Sequence, residues 1–541
     1  MIRKLGRKIA NHQHLIFALG TGVFVLAYLW ANFCNPQVFN LDMYSDAQVA
    51  KLMWEEKTLF PENWVFGNQY YVVATPVLSA LFYGLCGDSI MAMGFASTSM
   101  MLIQFALFLW LVKPYVGKKA MLAGLFAFGG AVILGTSLCN STMGMQLLYT
   151  MASYYACYMI GVLLVLGIYL RLRSGEKVNK LMPVLAVFMC FCLGIQSLRE
   201  TLVLIVPLVA VEILQIIFAR KPAKTTVFVT VLAISNVLGL AVAKVVPAVS
   251  NKSISGFALP RTTEDLFVNL YRSTNSFIDI TGLRYLQHSI KWKPLFLLAA
   301  FICLVTVLAL LMAAKALLKR RKDPMAFSLV FLLISLAAVF GVGVFLGFQL
   351  RAIYYFVWFL LSSLSFVYVI EKLENRTLKS LVMLGLLGCG AVNLFYNAYP
   401  DFAQHKAQKE LFCSTAQMLA DQGIDCTYVE YTTYSSSAIA ACSKDKIESA
   451  IVRLELDEDG VYSFKAYPHL VDMTLFEEER KETAVLVLTD ATMIGTSSFT
   501  TLDAYPGSYE QVMEKLELMS VESNEYFSLY IYKILDPSVI G

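Results

Sequence analysis

Charged residues are scarce in this chain, and histidines are scarcer still. Asp, Glu, Lys and Arg supply 15% of the 541 residues, against about 25% in typical soluble domains. Hydrophobic residues supply 58%, and the mean hydropathy is +0.63. These values exclude an ordinary water-soluble domain and indicate a polytopic membrane protein. With only five His, two of them at His12 and His14 in the basic N-terminal segment, a Ser/His/Asp hydrolase has little support.

Nucleotide and metal motifs are missing as well. There is no GxxxxGK[ST] loop and no GxGxxG after a strand, so an ATP-driven or NAD-dependent function is not supported. The sequence predicts no obligate cofactor, and a divalent metal gains no support from Cys/His spacing. The acidic run at 457–459 resembles a metal-binding DxD, but a polar hairpin turn ending at Gly460 explains it more simply.

Long apolar runs divide the first 399 residues into predicted membrane spans. A helix needs about 20 apolar residues to cross the bilayer. Eleven runs have about this length. They lie at 15–34, 89–112, 120–139, 152–170, 181–198, 201–219, 225–249, 294–314, 325–346, 354–370 and 380–399.

Charge segregation predicts the orientation of these spans. Residues 1–399 hold 33 basic and 15 acidic residues, whereas residues 400–541 hold 10 basic and 24 acidic residues. Every second loop is basic, and basic loops stay in the cytoplasm. We therefore expect a multi-pass protein of the cytoplasmic membrane with a cytoplasmic N-terminus and an extracytoplasmic acidic tail.

One apolar segment interrupts this alternation. The segment at 70–86 contains Pro76 and is only about 17 residues long. A full crossing here would turn every later basic loop outward, so we predict a helix pair on the outer leaflet. Residues 35–88 then form one long external loop.

The acidic tail predicts a small α/β domain. A helix is expected near 402–421 and another near 508–518, with strands near 427–432, 446–455, 484–489 and 526–534. The predicted fold class is thus an all-α polytopic membrane domain of about eleven transmembrane helices, residues 1–399, followed by a small extracytoplasmic α/β domain, residues 400–541. A disulfide between Cys426 and Cys442 is left open, because spacing alone does not define a pairing.

A short acidic motif begins the long external loop. Residues 42–53 have the pattern Asp-x-x-x-Asp-Ala-x-x-Ala-Lys-x-Met, and Pro-Glu-Asn-Trp follows at 61–64. This resembles the first external loop of the GT-C glycosyltransferases, which include protein mannosyltransferases and lipid A aminoarabinose transferases. The resemblance implies a GT-C-like fold, a sugar donor linked to polyprenyl phosphate, and an acidic catalytic residue early in this loop.

Two carboxylates are the predicted catalytic residues. An acceptor hydroxyl or amine loses a proton as it attacks the sugar, and a nearby carboxylate can accept it. Asp42 is the first choice for this base, although Met43 stands where relatives often have Glu. Asp46, one helical turn later, would orient the acceptor or raise the pKa of Asp42. The alternative is that Asp42 caps a surface helix and that Asp46, Glu55 and Glu56 form a solvated face.

The departing lipid phosphate requires cations and hydrogen-bond donors. Arg351, with Tyr354, resembles the Arg-Tyr element that contacts the carrier phosphate in the GT-C superfamily; a membrane-anchoring Arg is the alternative. Arg199 and Glu200 occupy a short external turn, where they contact substrate or form an ion pair between helices. Arg261, Arg272 and Arg284 lie in a later external loop and are predicted to be solvated by default.

Other polar residues carry weaker hypotheses. Trp64, Tyr70 and Tyr71 either contact the sugar or acceptor or anchor the loop at the membrane interface. Glu212 and Lys244 are the main candidates for a charge inside the membrane, each near enough to a helix end to reach water.

The sequence thus predicts an integral membrane glycosyltransferase that acts outside the cytoplasmic membrane with inversion. Its expected partners are the lipid bilayer, the polyprenyl-phosphate sugar and an extracytoplasmic acceptor; no nucleic acid is expected. The competing hypothesis is a non-catalytic membrane protein, either a transporter or flippase for lipid-linked glycans or a scaffold.

Overall fold

Helices form most of the part of the chain that the structure describes. The computed structural model describes residues 2–33, 41–134, 155–219, 224–248, 259–319, 323–348, 351–395, 399–430, 436–456, 461–467, 469–477, 484–489, 508–525 and 528–541. Its helices of at least eight residues are α1 (Ile2–Phe33), α2 (Leu41–Glu55), α3 (Thr75–Cys86), α4 (Ser89–Val112), α5 (Lys118–Phe126), α6 (Ala156–Ser174), α7 (Leu181–Gln196), α8 (Val206–Ala219), α9 (Lys224–Val242), α10 (Thr263–Thr281), α11 (Lys293–Leu318), α12 (Pro324–Phe345), α13 (Val357–Lys372), α14 (Arg376–Asn393) and α15 (Tyr399–Asp421).

Each predicted span contains one of these helices. Within the described ranges, six helical segments are long and apolar enough to cross a membrane: 89–112, 156–174, 224–242, 290–318, 324–345 and 352–372. The helices in the other spans are shorter or less apolar, and part of the span at 120–139 lies outside the described residues. Helices satisfy their own backbone hydrogen bonds, which is why apolar runs in lipid adopt them.

The described part of the predicted external loop, residues 41–88, is folded rather than extended. It contains α2, the two-residue strand β1 (Trp64–Val65) and α3. The predicted helix pair at 70–86 is only partly correct, because residues 70–73 are not helical and α3 begins at Thr75. With 12 residues, α3 is about 18 Å long, too short for a hydrocarbon core of about 30 Å.

The tail forms the predicted α/β domain around a six-stranded sheet. Its strands are β2 (Cys426–Glu430), β3 (Glu448–Leu456), β4 (Tyr462–Ala466), β6 (Ala484–Thr489), β7 (Leu516–Ser523) and β8 (Ser528–Ile534). They are ordered β4-β3-β2-β6-β8-β7. Strands β3, β2 and β6 run parallel, and antiparallel strands complete both edges.

Two elements of the tail differ from the predictions. A helix at Ser436–Cys442, which we name α16, was not predicted. The helix expected near 508–518 stops at Met513, and β7 follows as a largely exposed edge strand. Two-sided exposure leaves such a strand without the hydrophobic alternation that identifies half-buried strands. The predicted turn at 457–460 lies outside the described residues, although β3 and β4 pair as an antiparallel hairpin around it.

The tail docks directly on the external loop. Strand β5 (Val471–Asp472) pairs antiparallel with β1, so that Trp64 lies opposite Asp472. The Asp445 carboxylate accepts hydrogen bonds from the Ser89 backbone N–H at 3.2 Å and from the Ser89 hydroxyl at 2.9 Å. Helix α16 also packs against α2. The division at residue 399 stays a prediction, but the parts on either side of it share an interface.

Candidate functional site

A cavity of about 590 Å³ opens where the external loop meets the membrane helices. Its walls come from the ends of α7, α9 and α12 and from the segment after α12. Apolar side chains form most of the lining, including Leu202, Val203, Leu240, Val339 and Val342. Polar side chains from the external loop and from residues 196–199 form one part of it. An apolar chamber with a few convergent polar groups is the usual form of a ligand site.

Arg199 is the main cation of the polar part. Its guanidinium donates hydrogen bonds to the side-chain oxygens of Gln69 and, at 3.0 Å, Asn68. The guanidinium carbon also lies 5.3 Å from the ring centroid of Tyr354, 5.6 Å from that of Tyr155 and 5.9 Å from that of Tyr158. Aromatic faces attract cations at these distances. Arg199 is thus held in place by neutral groups from the loop and three tyrosines.

Gln69 adds a second donor to this site. The side chain is 2% exposed, and its Oε1 accepts from Arg199 and, at 3.0 Å, from the Tyr158 hydroxyl. These two donors identify which amide atom is the oxygen. The Nε2 group then has no hydrogen-bond partner among the described residues. A buried, unsatisfied donor beside a cation favours an anionic or strongly accepting ligand.

Gln196 fastens the external loop to the membrane helices. Its backbone oxygen accepts from the Tyr70 N–H at 3.1 Å, and its side-chain oxygen lies 3.3 Å from the Val72 nitrogen and 3.4 Å from the Val73 nitrogen. Its amide nitrogen donates to the Tyr158 hydroxyl at 3.2 Å. This one residue at the end of α7 therefore fixes the loop segment that carries Asn68 and Gln69.

Three further residues from the sequence analysis line the same cavity. Tyr70 is 4% exposed, and its hydroxyl donates a hydrogen bond to the Ala248 carbonyl oxygen at 3.2 Å. Tyr354 is half-buried, and Lys244 is exposed near the end of α9. Arg351 is exposed at the start of the short helix Ala352–Tyr355 and is not one of the lining residues.

Glu200 does not line the cavity and does not form the expected ion pair. The side chain is fully buried, and neither carboxylate oxygen has a hydrogen-bond partner among the described residues. The Glu200 side chain packs against Gly161. A Cβ atom added to Gly161 would lie 2.5 Å from the Oε1 atom of Glu200. The adjacent Arg199 contacts the loop instead. Glu200 is therefore not among the residues that line the cavity.

The acidic motif lies on α2. Asp42 belongs to the first turn of this helix, and its side chain lies outside the described residues. Asp46 is fully buried, which contradicts the solvated-face alternative for this residue, whereas Glu55 and Glu56 are exposed as that alternative expected. The catalytic roles of Asp42 and Asp46 stay predictions.

Other candidates have structural partners. Trp64 is 1% exposed at the interface between loop and tail, away from the residues that line the large cavity. Glu212 accepts hydrogen bonds from Tyr169 at 2.5 Å and Thr226 at 2.7 Å, which joins α6, α8 and α9. Arg284 forms an ion pair with Asp279. Arg261 and Arg272 are exposed, as predicted for solvated loop charges.

Sequence analysis missed the neutral polar residues of the site. Gln69, Gln196, Tyr155 and Tyr158 have no motif, and their roles depend on neighbours distant in sequence. A usable signal was present at Gln196, an amide that ends an apolar run three residues before Arg199. Among the residues that the structure describes, no group of three His, Cys, Asp or Glu could hold a metal ion.

The fold is a polytopic helical membrane domain with a small α/β domain. The structure is similar to the crystal structure of ArnT from Cupriavidus metallidurans bound to undecaprenyl phosphate, with a TM-score of 0.57 and 10% sequence identity. The similarity covers 96% of this chain and 98% of that protein. It confirms the expected fold class. Comparison with family models and with curated proteins finds no match.

Proposed function

We propose that this protein is a membrane glycosyltransferase that moves a sugar from a polyprenyl-phosphate donor to an acceptor outside the cytoplasmic membrane. The observation that carries the proposal is the cavity, in which Arg199 and Gln69 belong to the polar part of the lining and apolar side chains form the rest. The Nε2 group of Gln69 is buried there without a hydrogen-bond partner among the described residues. A lipid phosphate has the same division between an anionic head and an apolar chain. The ArnT structure, which shares the fold, contains undecaprenyl phosphate.

Recognition of the donor follows from these groups. Arg199 would donate to phosphate oxygens with two N–H groups, and Gln69 would add a third hydrogen bond through Nε2. Tyr155, Tyr158 and Tyr354 limit the positions that the guanidinium adopts, so little side-chain entropy is lost on binding. Arg351 lies on the exposed side of the same segment as Tyr354 and would attract the headgroup at the entrance.

The reaction would be a single displacement. The acceptor oxygen or nitrogen forms a bond to the anomeric carbon while the bond from that carbon to the phosphate oxygen breaks. The electron pair leaves with the phosphate, whose charge Arg199 stabilises. Asp42 takes the acceptor proton. Attack opposite the leaving group inverts the anomeric configuration, and no metal ion is needed for this scheme.

Binding of undecaprenyl phosphate to the purified protein tests donor recognition. Arg199→Gln removes the charge and keeps a hydrogen-bonding side chain. We expect a loss of about 3 kcal/mol, a Kd increase of about 150-fold, because hydrogen bonds to a charged partner contribute about 1.5 to 3 kcal/mol each. The measurement is ligand titration in detergent micelles.

Arg351→Gln is the matched control, since it removes the same charge from an exposed position. We expect less than about a fivefold change, as for a screened surface charge. Equal losses in both variants would contradict the assignment of Arg199, and unchanged binding in Arg199→Gln would reject the cavity as the donor site.

Sugar transfer separates an enzyme from the transporter or scaffold hypothesis. Membrane vesicles containing the protein are given radiolabelled polyprenyl-phosphate sugars, and product glycans are separated by chromatography. Asp42→Asn should reduce transfer about 100-fold or more, since general-base catalysis contributes about that factor, while undecaprenyl phosphate binding is retained. Transfer that survives this substitution would exclude Asp42 as the base. Movement of the intact donor across the bilayer without product would instead support a transporter.

A further inference from the structure

A network of hydrogen bonds ends at the unsatisfied donor of Gln69. It consists of the side chains of Gln196, Tyr158 and Gln69, and it begins at the backbone of the external loop. Tyr158 is fully buried in α6 and is not one of the residues that line the cavity. The direction in which each member of this network donates determines what the cavity offers to a ligand.

Backbone N–H groups determine the direction at the first end of the network. Val72 and Val73 both donate to one amide atom of Gln196, at 3.3 and 3.4 Å. A backbone N–H can only donate, so this atom is the oxygen and the other amide atom is the nitrogen. The nitrogen then donates to the Tyr158 hydroxyl at 3.2 Å and to the Cys157 sulfur at 3.1 Å. Both hydrogens and both lone pairs of this amide are thus used, and its orientation is fixed.

Arg199 determines the direction at the other end. A guanidinium has no acceptor, so the Gln69 atom to which Arg199 donates is the amide oxygen. The Tyr158 hydroxyl lies 3.0 Å from the same oxygen and must therefore donate to it. The Ser197 hydroxyl lies 2.9 Å from the Tyr158 oxygen and can rotate to donate there. Tyr158 therefore accepts from its other neighbours and gives its single hydrogen to Gln69.

We infer that Tyr158 is a positioning residue that holds Gln69 as an obligate donor, so that this part of the cavity selects a headgroup whose oxygens only accept. The inference rests on the proposed donor site. The amide oxygens of Gln69 and Gln196 each accept two hydrogen bonds, which is their full capacity. Ionised phosphate oxygens only accept and match the donors of Arg199 and Gln69. An alcohol brings a hydrogen that finds no free acceptor on either glutamine.

Tyr158 is needed although Arg199 contacts the same Gln69 oxygen. The phosphate would attract the guanidinium of Arg199, whereas the Tyr158 hydroxyl donates only to Gln69 and holds the amide with or without ligand. The hydrogen bonds of the network also run in one direction, from Gln196 through Tyr158 to Gln69. Each bond polarises the next, which strengthens the last donor of the series.

The headgroup preference of the full-length protein tests this role. Undecaprenyl phosphate and undecaprenol have the same lipid chain and differ only in the headgroup, so the ratio of their Kd values in detergent micelles isolates headgroup recognition. Tyr158→Phe removes the hydroxyl and retains the ring near Arg199. We expect the ratio to fall about five- to tenfold, as for one lost hydrogen bond. The Kd of undecaprenol should change less than about twofold, because its neutral headgroup forms the weaker hydrogen bonds.

Tyr169→Phe is the matched control. Tyr169 is fully buried on the same helix, about 16 Å further along it, and its hydroxyl donates to Glu212 at 2.5 Å. This variant also loses a buried hydrogen bond and should be destabilised similarly, but its headgroup preference should equal that of the wild type. Incorporation of 3-fluorotyrosine at position 158 gives a second reading that preserves packing. Its hydroxyl is a stronger donor, so the preference for the phosphate should rise.

Coupling to Gln69 shows whether Tyr158 acts through that residue. Gln69→Met retains the length of the side chain and removes the amide. In this background Tyr158→Phe should change the Kd of undecaprenyl phosphate less than about twofold, because the donor that Tyr158 holds is gone. An undiminished effect there, equal effects of Tyr158→Phe and Tyr169→Phe on the ratio, or no rise with 3-fluorotyrosine would overturn the role of Tyr158 alone. Equal binding of the two lipids by the wild-type protein would overturn the donor site as well.

Discussion

Replacement of Gly239 by Ala should separate two helices that line the cavity. Gly239 lies where α9 crosses α7, and a Cβ atom there would be 2.1 Å from the Phe191 carbonyl oxygen and 2.9 Å from the Ile195 nitrogen. Both obstructing atoms are backbone atoms, so no side chain can turn aside. Ordinary contact begins near 3.4 Å, and the helices must therefore move apart by about 1.3 Å.

The energetic cost follows from this displacement. Overpacking a close contact costs about 1 to 3 kcal/mol, and a contact between two backbones belongs at the upper end. Ala is favoured over Gly in a helix by about 1 kcal/mol, which offsets part of the cost. We expect a net destabilisation of about 2 kcal/mol. Leu240 follows on the same helix, Lys244 lies two residues beyond its end, and both line the cavity. Affinity for undecaprenyl phosphate should therefore fall as well.

Gly388→Ala is the matched control. Gly388 lies in α14, and an added Cβ there would meet nothing within 4 Å. This variant should be as stable as the wild type or more stable by up to about 1 kcal/mol. Both variants are compared by thermal unfolding in detergent and by ligand titration. If Gly239→Ala unfolds at the same temperature as Gly388→Ala and binds equally well, the close helix contact does not exist as described.

The tail interface carries a further prediction. Burial is the main cause that raises the pKa of Asp445, with Asp88 adding to the rise and Ser89 and Lys51 opposing it. A raised carboxyl pKa means that docking favours the neutral form of Asp445. Docking of the tail should therefore weaken as pH rises from the ordinary carboxyl range through the raised pKa. Protection of the tail from proteolysis measures this dependence, and Asp445→Asn should remove it.

Several residues of the site could be predicted from the sequence, but their spatial arrangement could not. Arg199, Tyr354 and Tyr70 were named from sequence, and they do meet at one cavity. Arg351 is predicted from the sequence because, with Tyr354, it resembles the Arg-Tyr element of the GT-C superfamily. The contacts of Arg199 with Asn68 and Gln69 are not visible in that way, since about 130 residues separate them.

The sequence by itself determined the membrane architecture. Hydropathy is a local property, and each of the eleven long apolar runs contains a helix within its described residues, because lipid offers the backbone no other hydrogen-bond partners. The alternating periodicity of the tail likewise predicted most strands of its sheet. These features depend on neighbours within about 20 residues.

Only the tertiary structure decided which polar groups share a site. Packing brings together the segments that are joined by the pairing of β1 with β5 and by the anchoring of the loop at Gln196. Neutral amides and hydroxyls show no periodicity in the sequence. They form hydrogen bonds with whichever groups are still unsatisfied once the helices have associated. The chemistry proposed for this protein depends on that second level of organisation.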